Sequence, residues 1–173
     1  MHQGTNYRYA AWQPIQTSLA PKGTKAPYYG SIFVAAFLGN ITKGHNQISN
    51  LPLENSSEAA YAAYEDSILR RIAVVNMRGY NYTNSSNTRP SKTYSFKVGA
   101  VDEVLVQRLV ANGSNAISGI TWDGWSYNWE LNEGKQVRLW NVTTGETVYD
   151  EAGVISVVVP DSSAVILNLG GNE

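Results

Sequence analysis

Turn-forming residues interrupt this sequence roughly every eight to twelve positions, and most of the short runs between them alternate apolar with polar side chains. Such a rhythm has the period of a half-buried strand and leaves little room for long helices. The runs predict strands over Gln47 to Leu53, Ala59 to Glu65, Leu69 to Met77, Lys92 to Val98, Glu103 to Ala111, Gln136 to Trp140, Glu146 to Tyr149, Val154 to Val159 and Ala164 to Leu169. Asp66-Ser67 joins the second and third of these as a hairpin, and Asn112-Gly113, Thr144-Gly145 and Pro160-Asp161 mark further turns. Eleven tyrosines, five tryptophans and fifteen glycines agree with a mainly β protein, and the spacing predicts an antiparallel β-sandwich.

One segment breaks the rhythm. Tyr28 to Leu38 is apolar on nearly every side, opens after Pro27 and closes at Gly39-Asn40, which are helix start and stop signals. A helix of that kind has to be covered on several faces. It is too short to cross a bilayer, which takes about twenty apolar residues. Before it, residues 2 to 26 carry no periodicity, and Pro21 and Gly23 read as loop.

Three of the five tryptophans fall in Thr121 to Leu131. From Trp125 the stretch alternates, with Trp125, Tyr127, Trp129 and Leu131 on one side and Ser126, Asn128 and Glu130 on the other. A strand with that pattern is expected to turn its polar residues to water and its rings to the core. The alternative is an exposed platform of Trp125, Tyr127 and Trp129 stacking on sugar rings, as a carbohydrate-binding module would use them.

Charge excludes little but points nowhere basic: thirteen Lys and Arg against fourteen Asp and Glu leave a net charge of -1, with no footprint for nucleic acid or an anionic membrane. The absence of cysteine removes disulfides, thiolate metal sites and thiol nucleophiles. His2 and His45 lack metal-ligand spacing, so no metal and no cofactor is expected. A glycosidase needs two carboxylates at a defined separation, and Glu103, Asp123, Glu130, Glu133, Asp150 and Glu151 all fall at strand ends, turns or the polar face, where a charge serves solubility. Asn-X-Ser/Thr acceptors at Asn40, Asn55, Asn81, Asn84, Asn112 and Asn141 point to a secreted glycoprotein. No signal peptide is visible at Met1-His2-Gln3-Gly4, so a secreted protein would have its true start upstream.

Taken together, Tyr28 to Gly39, Ala59-Ala60-Tyr61-Ala62-Ala63-Tyr64-Glu65-Asp66, Ile72 to Asn76, Arg89-Pro90-Ser91-Lys92-Thr93-Tyr94-Ser95-Phe96, Leu109 to Ser114, Gly119-Ile120-Thr121-Trp122-Asp123-Gly124 and Pro160 to Val165 resemble the C-terminal region of fungal β-glucuronidases of glycoside hydrolase family 79, relatives of heparanase. The resemblance runs in collinear order over nearly the whole chain. It implies a β-sandwich that follows a (β/α)8 barrel, with residues 1–42 as the barrel's last strand-loop-helix unit and 43–173 as the sandwich. It also implies a retaining mechanism carried by two barrel glutamates, neither of which has a counterpart here. The implied role is non-catalytic support of that barrel, which acts on glucuronide-containing glycans. Tyr7, in Gly4-Thr5-Asn6-Tyr7, looks like the tyrosine that helps hold the substrate carboxylate in this family.

Overall fold

The computed structural model describes residues 10–18, 21–42, 44–82, 88–101 and 103–170. Tyr7 and Asn84 lie outside them. A two-residue ribbon, β1 (Trp12–Gln13) and β2 (Gly23–Thr24), leads into helix α1 (Ala26–Leu38). Strands β3 (Asn46–Leu51), β4 (Glu58–Glu65), β5 (Ile68–Asn76), β6 (Ser91–Lys97) and β7 (Glu103–Val110) follow. Next come β8 (Thr121–Trp122), β9 (Trp125–Ser126), the single-turn helix α2 (Trp129–Asn132) and β10 (Val137–Arg138). The chain closes with β11 (Glu146–Tyr149), β12 (Val154–Pro160) and β13 (Ser163–Asn168).

The architecture is mainly β, with antiparallel sheets and a minor helical part. A nine-stranded sheet runs β10-β9-β8-β7-β13-β5-β4-β3, and β11 pairs with β7 beside β8. Strands β12 and β6 form a second, two-stranded sheet in register from Val154 opposite Lys97 to Pro160 opposite Ser91. The small sheet lies on one face of the large one, and α1 lies on the other.

Strand β13 shows why this layering follows from the residues. It is central, and Ala164, Val165, Ile166 and Leu167 are all buried, as a strand covered on both faces requires. Val165 and Leu167 join Ile72, Val74, Val104, Val106, Ile155, Val157 and Val159 in the core between the sheets. Ala164 and Ile166 point the other way, to Phe33, Phe37 and Trp122. Small residues, Ala63, Ala73 and Ala164, floor that second cluster and give the two helix rings room to seat.

Helix α1 begins one residue before Pro27 and ends where Gly39 turns left-handed at φ +64, its N–H bonded to Ala35 O at 3.0 Å. A Cβ at Gly39 would overlap the Arg71 guanidinium, which donates to Phe37 O at 3.3 Å and places a cation at the helix's negative end. Tyr29, Phe33 and Phe37, four residues apart, are the buried face. The opposite face is free: Val34 is 52% exposed.

The tryptophan segment departs from the expected core strand. Asp123 and Gly124 both take positive φ, +47 and +77, which is the backbone of a two-residue hairpin turn between β8 and β9. Pairing stops at Ser126, and Trp129 starts α2. The faces are also reversed. Ser126 and Asn128 are 0% and 1% exposed, whereas Trp125 and Trp129 are 39% and 36% exposed and Leu131 is exposed too. Polar side chains can be buried this way because hydrogen-bond partners wait for them inside.

A buried ion cluster ties the two sheets together at one end. Glu58 in β4 receives Lys92 Nζ at 2.6 Å and lies 2.8 Å from an Arg78 nitrogen. Burial opposes its charge, but the Lys92 hydrogen bond and the two cations outweigh that and hold the carboxyl below its usual range. A depressed folded value means stability present above the unfolded value, about 4.3, and lost as pH falls through the folded one. Thermal melts between pH 7 and pH 3 should therefore show Glu58→Gln losing about 1–3 kcal/mol at pH 7 and little at pH 3. An equal loss at both pH values would contradict the assignment.

Candidate functional site

Tyr29 organises the surface that carries the tryptophans. Its hydroxyl donates to Asn128 Oδ1 at 2.6 Å, lies 3.1 Å from Ser126 Oγ and accepts the Tyr127 N–H at 2.8 Å. Burial pushes its pKa up, so it stays a neutral phenol able to donate and accept at once. Thr24 Oγ1 donates to Tyr127 O at 2.6 Å, and Asn128 Nδ2 donates to Ile117 O and to Glu130. The segment before α1, the first turn of α1 and the stretch 126–128 are thus one hydrogen-bonded unit. Tyr28, Tyr29 and Tyr127 add edge-on ring contacts, with centroids 5.6–6.2 Å apart.

With Ser126 and Asn128 held inside, Trp125 and Trp129 are left outside. Trp125 and Arg138 are cross-strand partners in β9 and β10, and Trp140 follows Arg138 by two residues. The guanidinium carbon sits 5.8 Å from the Trp125 ring centroid and 5.6 Å from that of Trp140. Trp140 is 87% exposed. Arg138 is not free to wander, because it donates to Asp123 O at 2.9 Å and to Thr144 Oγ1. It reaches both by crossing Gly124, where any Cβ would overlap the guanidinium. On the other side of the segment Lys22 Nζ stands 4.7 Å from the Trp129 ring centroid. Among the described residues, neither Lys22 nor Arg138 forms an ion pair.

A separate apolar groove of about 310 Å³ opens on the helix side of the large sheet. Ala26, Tyr29, Met77, Leu109, Ala116 and Ile120 are among its walls. It has little to offer a polar substrate.

The sequence-predicted residues fare unequally. Trp125 and Trp129 are exposed and attend different cations, whereas Tyr127 is half-buried against Tyr28 and Tyr29. Asn40, Asn81, Asn112 and Asn141 are exposed, and Asn55 is half-buried. Asn40 Oδ1 accepts both the Thr42 N–H and the Thr42 hydroxyl, and Asn55 Oδ1 accepts the Ser57 N–H, so two acceptors already bond to their own sequon residues. Glu103, Glu130, Glu133 and Glu151 are exposed, and Asp123 and Asp150 partly so. The buried carboxylate of Glu58 is held ionised by two cations, the opposite of what a general acid needs. No group of three or more His, Asp or Glu among the described residues could hold a metal ion. Sequence reasoning missed Tyr29, Arg138 and Trp140; a cation two residues before a tryptophan on a strand was the available signal for the last two.

Comparison with known proteins matches the chain to a family. The family model described as the glycosyl hydrolase family 79 C-terminal beta domain matches residues 60–166. A β-glucuronidase of Aspergillus niger is 52% identical over 98% of this chain, which covers 33% of that protein. A β-glucuronidase of Neurospora crassa is 43% identical over 96% of this chain and is covered over 37% of its length. The chain thus spans about a third of the length of the curated relatives it matches. The solved structure of a 4-O-α-L-rhamnosyl-β-D-glucuronidase from Fusarium oxysporum 12S, a complex with Rha-GlcA, superposes with a TM-score of 0.69. That match has 25% identity and covers 85% of this chain and 30% of the other.

Proposed function

The chain belongs to glycosyl hydrolase family 79 as its C-terminal β domain, and from that premise we propose that it braces the catalytic (β/α)8 barrel of a secreted, retaining β-glucuronidase without itself cutting bonds. In this reading residues 1–42 are the last strand-loop-helix unit of the barrel, and residues 43–173 are the supporting sandwich. The observation that carries it is the match of almost the whole chain to about a third of two β-glucuronidases. The uncovered apolar face of α1 around Val34, and the apolar groove beside the helix's first turn, support it as the surfaces on which the rest of a barrel would rest. The substrate in this reading is a glucuronide-containing glycan, Tyr7 helps hold its carboxylate, and the exposed acceptor asparagines carry N-linked glycans.

Co-expression of the chain with the remaining two thirds of the Aspergillus relative tests this. The expected result is a complex that hydrolyses a chromogenic glucuronide, with the chain alone inactive. Val34→Glu should weaken the complex while leaving the isolated chain folded, because that side chain faces solvent in the chain alone. Hydrolysis by the isolated chain, lost on mutating one of its own carboxylates, would overturn the proposal.

A second reading, a free-standing carbohydrate-binding module, draws on the exposure of Trp125, Trp129 and Trp140.

A further inference from the structure

The geometry points to a binding subsite for a uronic-acid-bearing glycan at Trp125, Arg138 and Trp140. Two rings reach one guanidinium, and one of them stands almost wholly in water. An exposed tryptophan face suits the apolar face of a pyranose, and an arginine suits a carboxylate, which it can bind through two parallel N–H groups. Arg138 spends two of its five N–H groups on Asp123 O and Thr144 Oγ1. These bonds fix its position ahead of any ligand, so less freedom is lost on binding than for an ordinary surface arginine. Among the described residues no carboxylate forms an ion pair with it. An acidic sugar therefore fits the charge better than a neutral one.

The location of this subsite in a whole enzyme rests on the barrel reading above. In a (β/α)8 barrel the catalytic groups lie at the end of the strands from which the chain enters each helix. Tyr29, in the first turn of α1, holds Ser126 and Asn128 next to Trp125. The rings and Arg138 would then flank the mouth of the catalytic cleft and receive the part of an acidic glycan that runs out of it. The ligand class does not depend on that placement.

The test uses the 173-residue chain made in a bacterial host, so that Asn141 carries no glycan beside Trp140. Calorimetry compares a glucuronic-acid-containing tetrasaccharide with the same tetrasaccharide after reduction of its carboxyl groups. The acidic form should bind at least about tenfold more tightly, and the difference should shrink as salt is raised. Trp140→Ala, a change at an exposed side chain, should weaken binding about tenfold. Arg138→Gln should abolish the preference for the acidic sugar, and Arg138→Lys should keep part of it. Equal affinity for the two sugars, no saturable binding, or undiminished binding by Trp140→Ala would each overturn the inference. Because no barrel is present in these titrations, they can fail while the co-expression experiment succeeds, and the reverse.

Discussion

Replacing Arg89 with methionine is expected to lower the unfolding free energy by about 3–4 kcal/mol. Arg89 Nε donates to Asp161 O at 2.6 Å, Nη1 to Ala111 O at 2.7 Å and Nη2 to Ser162 O at 2.8 Å, and the guanidinium lies over Tyr80. One side chain thus gathers the β12–β13 turn and the end of β7 onto the segment before β6. Methionine keeps much of the stem's packing and removes every donor. Each charge-assisted bond contributes about 1.5–3 kcal/mol, but the freed carbonyls can take up water at this half-buried site, so the loss stays below the sum. For a domain of this length the melting temperature should fall by about 10 °C. Lysine, a single point charge, should restore part of it, since it cannot reproduce the fork. A shift of less than about 2 °C for Arg89→Met would show that the three carbonyls are satisfied in some other way.

The second large effect is at Tyr29. Tyr29→Phe removes one oxygen, yet it leaves the Tyr127 N–H without its acceptor and Asn128 Oδ1 without its shortest donor in a place closed to water. A loss of about 2–3 kcal/mol follows from stranding those groups, and urea titration should show it as a lower midpoint with little change in slope. Amide exchange separates this from a general weakening. Protection should fall first at 126–128 and in the first turn of α1, while the β5–β13 ladder keeps its protection. Tyr28→Phe, at the neighbouring half-buried ring, serves as the control and should change stability by under about 0.5 kcal/mol. Uniform loss across the sheet would mean that Tyr29 acts through packing alone.

Both effects depend on contacts far apart in sequence, and that is where reading the residues fell short. Local signals carried the helix and the hairpins. Pro27 and Gly39 bracket α1 within a residue, and Asp66-Ser67 closes β4 onto β5 with positive φ at both positions. The apolar run of β13 and the alternation of β12 gave the β class, because strand period and burial follow from side-chain order within one segment. Pairing was another matter. Strand β6 joins β12 across 61 residues from Ser95 to Ser156, and no local pattern selects that partner.

The tryptophan segment divides the two kinds of information most sharply. Its residues determined that rings and polar side chains would separate onto opposite faces, since neighbours on an extended chain point apart. Only the tertiary structure decided which face went inside. Polar groups are turned outward by default because burying them without partners costs about 1–3 kcal/mol each. Tyr29, 97 residues before Ser126 and 99 before Asn128, removes that cost by supplying the partners from α1. Ser126 and Asn128 therefore went in, and the rings expected to fill a core were left on the surface beside Arg138 and Lys22.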